Sequence, residues 1–296
     1  VVNYESPYLK IGSFMRIKIN GCKLFFDVYG SKLKVLADRV IEKPTLIVLH
    51  GAHGAVDHTL YVEFWSKFSD IAQVIFLDQR GCGRSGGKNK EEWSLQYWAE
   101  DLYQFCETLE IEKPIIAGVS MGGHVMCEYI AHHADQPGGL IFCHTEARMV
   151  LDDLCAKFES LAGREIAEVA RNYFTHPTAE SSKEYLEKCV RYYAKNAYTP
   201  VEMRRCVSHP EVFLHYCQQQ MLKFNYLGDL HKIRCPTLLM VSTETPLHLV
   251  KRAEEMFERI KQPLAEMAIF ENIGAPAYKD APEKAYSVVE HFLQQF

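Results

Sequence analysis

The chain has 296 residues, 48% of them hydrophobic and 24% charged, an ordinary balance for a globular protein able to bury a sizeable core. Thirty-three basic residues against 38 acidic ones leave a net charge of −5. Lys and Arg are scattered, which argues against a broad basic face and against a nucleic-acid partner. No run approaches the ~20 apolar residues of a membrane-spanning helix, so no membrane partner is expected. The ten cysteines include no Cys-x-x-Cys pair and the histidines lack zinc-type spacing, so no metal is implied. Scattered thiols suit a reducing compartment, and Val1–Pro7 shows no basic-then-apolar leader pattern, so a cytoplasmic location is expected.

In chain order, Met15–Ile19 alternates with period two and Lys23–Val28 follows after Asn20-Gly21, which predicts a β-hairpin. Thr45–Leu49, Gln73–Leu77, Pro114–Ala117 and Leu140–Cys143 are short apolar runs, the pattern of strands buried on both faces. Helical stretches separate them, notably Trp93–Leu109 and Met121–His133, and this alternation predicts a parallel sheet with right-handed crossovers. From about residue 146 to 230 the strand-like runs vanish. Amphipathic segments take their place at Asp152–Leu161, Glu165–Phe174, Ser181–Ala194 and Val212–Phe224. The β/α pattern returns with Pro236–Val241, a helix near Leu247–Ile260, Ala265–Glu271 and a final helix from about Ala281 to Phe296. The expected architecture is therefore an α/β core over residues 1–145 and 231–296, interrupted by a helical cap over 146–230.

Three stretches at strand ends carry chemistry. Gly118-Val119-Ser120-Met121-Gly122 stands between an apolar strand and a helix, the setting of a nucleophile elbow, where a tight turn exposes the Ser120 hydroxyl beside a helix N-terminus. His50-Gly51-Ala52-His53-Gly54 ends the strand Thr45–Leu49. A His-Gly loop there supplies one backbone N–H to an oxyanion hole and the residue after the serine supplies the other, which selects Ala52 and Met121. Asp78–Ser85 is a polar turn after Gln73–Leu77, more suited to bracing the site than to catalysis. No phosphate-cradling Gly-x-x-x-x-Gly-Lys motif is present, and no organic cofactor is implied.

The order His50-Gly-x-x-Gly, then Asp78-Gln-Arg-Gly-x-Gly-Arg-Ser, then Gly118-x-Ser-x-Gly-Gly resembles the prolyl aminopeptidase (proline iminopeptidase) branch of the α/β-hydrolases. Pro210-Glu211-Val212, Arg234–Leu239 and Lys279–Glu283 extend the resemblance over nearly the whole chain. It implies an α/β-hydrolase fold, a mostly parallel sheet of about eight strands with a helical cap. It also implies a small ester, lactone or amide as substrate, held in a pocket between core and cap. Tyr192, Tyr193, Phe213 and Tyr216 are expected to line that pocket.

The resemblance breaks at the remaining triad positions. The family acid falls on Thr245, in Ser242-Thr243-Glu244-Thr245-Pro246, and the family histidine falls on Ala275, in Asn272–Pro276. Neither side chain can orient a base or accept a proton, and a serine without its base is a poor nucleophile. A hydrolase using those two positions would be impaired as written. Glu146, Glu244 and His248 are the substitute acid and base candidates, with Arg148 as an expected partner for Glu146. His124, His144 and His291 read as packing residues. Two further readings follow from the same residues: a ligand-binding or sensing protein built on an inactive hydrolase, and a lyase or proton-transfer enzyme with a relocated base.

Overall fold

The computed structural model describes residues 15–196, 198–247 and 249–296. The expected hairpin forms from β1 (Met15–Ile19) and β2 (Cys22–Tyr29), paired antiparallel. Asn20 and Gly21 both adopt positive φ, 44° and 75°, the turn whose twist matches the strands it joins. An exposed hairpin, β3 (Leu33–Val35) and β4 (Val40–Glu42), stands apart from the main sheet.

The main sheet is completed by β5 (Thr45–Leu49), β6 (Gln73–Asp78), β7 (Ile115–Val119), β8 (Gly139–Cys143), β9 (Thr237–Ser242) and β10 (Ala265–Phe270). Its eight strands run in the order β1-β2-β6-β5-β7-β8-β9-β10. All neighbours from β6 to β10 are parallel, and β2 alone runs against them, pairing antiparallel with both β1 and β6. β5, β7 and β8 are buried at every residue, as parallel strands covered by helices on both faces must be. Alternation still sorts their side chains: Ile47 and Leu49 join one apolar cluster while Leu46 and Val48 join the other.

The first cluster takes in α2 (Leu95–Thr108) and α3 (Met121–His133). The second takes in α1 (Thr59–Trp65) and the final helices, α10 (Ala277–Asp280) and α11 (Pro282–Leu293). α9 (Val250–Arg259) connects β9 to β10. It starts three residues later than the Leu247 the pattern suggested.

Between β8 and β9 the chain builds α4 (Leu151–Ala162), α5 (Arg164–Thr175), α6 (Ala179–Lys188), α7 (Pro200–Arg205) and α8 (Pro210–Gln219). The helix expected to reach Ala194 stops at Lys188 and passes into a short 3₁₀ turn, Val190–Tyr192. Thr178 and Thr199 open α6 and α7 with reciprocal side-chain caps, which satisfy N–H groups that have no partner within the helix. The insert shares the first apolar cluster through Leu154, Phe158, Tyr173, Tyr185, Val212 and Tyr216, and it is also bonded to the core by its backbone. His209 donates its N–H to the Gly54 carbonyl at 2.6 Å, and Ala275 donates to Tyr193 at 2.6 Å. No helix among the described residues is long and apolar enough to cross a membrane.

Candidate active site

Ser120 sits between β7 and α3 with φ 50° and ψ −119°, a left-handed conformation that a side chain with a Cβ rarely adopts and that carries strain. The strand and helix on either side enforce it. The Ser120 N–H continues the pairing of β7 with β8 by donating to Cys143 at 3.0 Å, and the Ser120 carbonyl accepts from Gly123 at 2.9 Å. The flanking glycines are sterically required. A Cβ on Gly118 would come within 2.6 Å of the Gly123 nitrogen, and one on Gly122 would run into the carbonyl of Leu49 on β5.

The His50–Gly54 loop packs directly against this turn. A Cβ on Gly51 would lie 2.9 Å from that of Ser120. Ala52 adopts φ 45°, and Met121 is the first residue of α3. Neighbours brace the loop from several sides. The Tyr61 hydroxyl on α1 accepts from Gly51 N–H at 3.1 Å, and the Gln79 amide donates to the His50 carbonyl at 3.1 Å. His50 Nδ1 donates to Gly51 at 2.9 Å and Nε2 accepts from Gln79 N–H at 3.4 Å, so the ring is held neutral. Burial lowers its pKa in the same sense. His53, fully buried, packs 4.3 Å from Trp98 and 5.3 Å from Tyr216, and burial holds its pKa well below the ordinary value.

Asp78–Ser85 braces the site, as its sequence suggested. Asp78 accepts from Arg84 N–H at 2.8 Å and from His58 Nδ1 at 2.7 Å, while His58 Nε2 reaches Asp27 at 3.0 Å. Burial alone would favour the neutral ring, but the two carboxylates outweigh it and lift His58 to about 9. Arg80 forks onto Asp101 at 2.7 and 2.8 Å. The turn also grips the insert, because Asp57 receives both Arg84 Nη1 at 2.6 Å and Val207 N–H at 2.8 Å.

Beyond β8, the next strand in the sheet, lie His144, Thr145 and Glu146, all buried. His144 Nε2 accepts from Ala277 N–H at 3.2 Å and meets Ser242 Oγ at 2.8 Å. Because the amide can only donate, that nitrogen is an acceptor already engaged in holding β8 to β9 and α10. Glu146 is 4% exposed and lines a small cavity with Val150, Leu154, Pro246, Leu249 and Arg252. The expected partner Arg148 is committed elsewhere, reaching Glu255 on α9 at 2.9 and 3.2 Å. His124 is tied to Tyr216 on α8 at 2.8 Å.

Thr245 follows β9 and is 1% exposed, and Ala275 follows β10 and is 8% exposed. Both are packed among neighbours: Thr245 Oγ1 accepts from Leu247 N–H at 3.4 Å, and Ala275 donates its N–H to Tyr193. Glu244 is half-buried, its backbone paired with Ile273 at 3.0 Å, and it is not among the residues around the Glu146 cavity. His248 lies outside the described residues. Among the expected pocket residues, Tyr216 is fully buried against His53 and Trp98, and Tyr193 bonds Tyr185 through their hydroxyls. Tyr61 and Arg252 escaped the sequence reading. Each belongs to an ordinary amphipathic stretch, and only the folded chain shows what it faces.

A serine in a strained strand–helix turn, over a mostly parallel eight-stranded sheet with helices inserted after the following strand, defines an α/β-hydrolase. The chain matches the family model "Serine aminopeptidase, S33" over residues 42–274, and it belongs to that family. It is 24% identical over 302 aligned residues to a proline iminopeptidase of Lactobacillus helveticus, covering 92% of this chain and 97% of the relative. The crystal structure of proline iminopeptidase from Mycobacterium smegmatis superposes with a TM-score of 0.76 at 19% identity, covering 96% of this chain and 98% of that one. An esterase from Exiguobacterium antarcticum superposes at 0.71 with 16% identity, covering 95% of this chain and all of that one.

Proposed function

We propose that this protein is a serine hydrolase of a small ester, lactone or amide. Its nucleophile is Ser120, its oxyanion donors are the N–H groups of Ala52 and Met121, and its acid and base come from the ends of β8 and β9. The observation that carries this reading is the backbone of Ser120. A non-glycine residue in this region costs on the order of 1–3 kcal/mol, and such strain persists where function uses it. A chain retaining only the fold could relax the turn with glycine at position 120.

Thr245 and Ala275 cannot supply acid and base, which would leave a hydrolase dependent on them impaired. The sheet order offers another pair. β8 lies between β7 and β9, so the ends of these three strands adjoin. Glu146 follows β8, and it shares a cavity with Pro246 and Leu249 of the segment after β9. We assign Glu146 as the acid. The base assigned with it is His248, the histidine in that segment, on its sequence position alone. In this scheme the base takes the Ser120 proton as Oγ attacks the carbonyl carbon, and the oxyanion gathers negative charge between the two N–H groups. The leaving alcohol or amine departs with that proton, and water releases the acyl group by the same steps in reverse.

A fluorophosphonate probe with intact-mass readout tests the scheme. Stoichiometric mass added at Ser120, lost in His248→Ala and strongly slowed in Glu146→Gln, supports it. The measurement is paired with turnover of nitrophenyl esters, lactones and proline arylamides. A folded protein that neither labels nor turns over any of them overturns the hydrolase reading in favour of a ligand-binding protein, for which thermal shift with metabolites is the follow-up. Turnover that survives Ser120→Ala indicates a lyase or proton-transfer enzyme instead.

A further inference from the structure

Arg252 is an unusual residue for the inner face of α9. It is 3% exposed, and a buried guanidinium needs its five N–H donors paired. Nη2 is satisfied by Asp153 on α4 at 3.0 Å and Glu255 on α9 at 2.8 Å. Nε and Nη1 have no hydrogen-bond partner among the described residues. Those two acids are themselves shared, Asp153 with Lys251 at 3.2 Å and Glu255 with Arg148 at 2.9 Å. Arg252 lines the same small cavity as Glu146. The cavity measures about 10 Å³, roughly the space of a single water molecule. It is too small for an organic ligand. The buried Glu146 carboxylate and the buried guanidinium with its uncommitted donors thus face one water-sized space, which Asp153, already paired with Nη2, also lines.

We propose that Arg252 is a positioning residue for Glu146, holding the carboxylate through one water in the orientation with which it supports the base that activates Ser120. The inference rests on the assignment of Glu146 made above and extends it to a residue on another helix. Opposite charges so placed attract far more strongly than at the surface. A carboxylate allowed to swivel would misplace the base, and misplacement on the scale of 1 Å costs as much as about 100-fold in rate. The same guanidinium binds Asp153 on α4, so the orientation of Glu146 is coupled to the seating of the first helix of the insert.

The test is a double-substitution cycle read by fluorophosphonate labelling and ester turnover, which separate the maximal rate from apparent affinity. Arg252→Met is expected to lower the maximal labelling rate by about 10- to 100-fold with affinity unchanged. Arg252→Lys, which keeps one charge, should recover part of the rate. It also serves as the second variant should the methionine protein fail to fold. In a Glu146→Gln background the arginine substitution should cause no further loss. Glu255→Gln, which touches the ion-pair network but not the cavity, should keep the wild-type rate. Losses that multiply across the cycle, or a lowered melting temperature with a normal rate, would overturn the inference and leave Arg252 as a structural clamp. If Glu146→Gln slows labelling and Arg252→Met does not, the inference fails while the assignment of Glu146 stands. A wild type that does not label at all overturns both.

Discussion

The turn after β7 and the loops after β9 and β10 lie on one edge of one sheet, yet they are held in place by different means. At the elbow the constraints interlock: the strained Ser120 backbone, the glycines pressed against Leu49 and α3, and the His50–Gly54 loop packed against it. After β9 and β10, Thr245 and Ala275 stand where the resemblance expects an acid and a histidine, and both are buried in packed surroundings. The elbow is held by backbone collisions, so almost no substitution there escapes a steric penalty. A loop side chain at a strand end is held by no such constraint. Reactive groups can therefore move from one strand end to the next while the sheet and the turn stay as they are.

This contrast can be broken at the elbow first. Ser120→Ala should abolish probe labelling and leave at most about 10³–10⁴-fold catalysis over water, the residue of binding and oxyanion donors. Mass spectrometry and ester turnover read the loss, and full turnover in the variant would refute the nucleophile assignment. Gly122→Ala drives a Cβ into the Leu49 carbonyl and should destabilise by about 3 kcal/mol or more, seen as an early urea midpoint. A midpoint unchanged from wild type would mean that the turn is not sterically fixed.

Next in size is the brace behind the elbow. Because the folded-state pKa of His58 is raised to about 9 from an ordinary 6.5, its contribution is complete below about pH 6.5 and is lost as pH climbs through about 9. The shift corresponds to about 3 kcal/mol. Urea titrations across that range should show stability falling toward high pH in wild type and a flatter profile in His58→Gln. Equal slopes would mean that the ion pairs with Asp27 and Asp78 contribute little.

Smaller effects test the neighbouring packing and the loops. Tyr216→Phe removes the hydroxyl that joins α8 to His124 and should cost about 1–2 kcal/mol in the same titration. The smallest effect belongs to restoring the expected pair. Thr245→Asp with Ala275→His should give no gain in labelling rate, since the pair assigned to the work is elsewhere. A large gain would show instead that the two loops are a disabled triad.

Much of the fold was legible in the residues because it depends on local chemistry. Asn20-Gly21 dictates its hairpin, the apolar runs dictate buried parallel strands, and Gly118–Gly122 dictates the elbow. α1, α7, α10 and the β3–β4 hairpin were not legible. These are short segments: α1 is ordered by burial of Leu60, Tyr61, Phe64 and Trp65, and α10 by burial of Ala277 and Tyr278. Arg148 illustrates the limit for side chains. Two residues from Glu146 in sequence, it turns to Glu255, because direction is set by the surrounding elements and not by sequence distance.

The sequence by itself determined the class of fold and placed Ser120 in its strand–helix turn, because backbone sterics and residue identity are local properties. Tertiary structure alone decided that β8 lies between β7 and β9 and that Glu146 shares a buried cavity with Arg252. Those relations join residues about a hundred positions apart, and they exist only once the sheet has assembled.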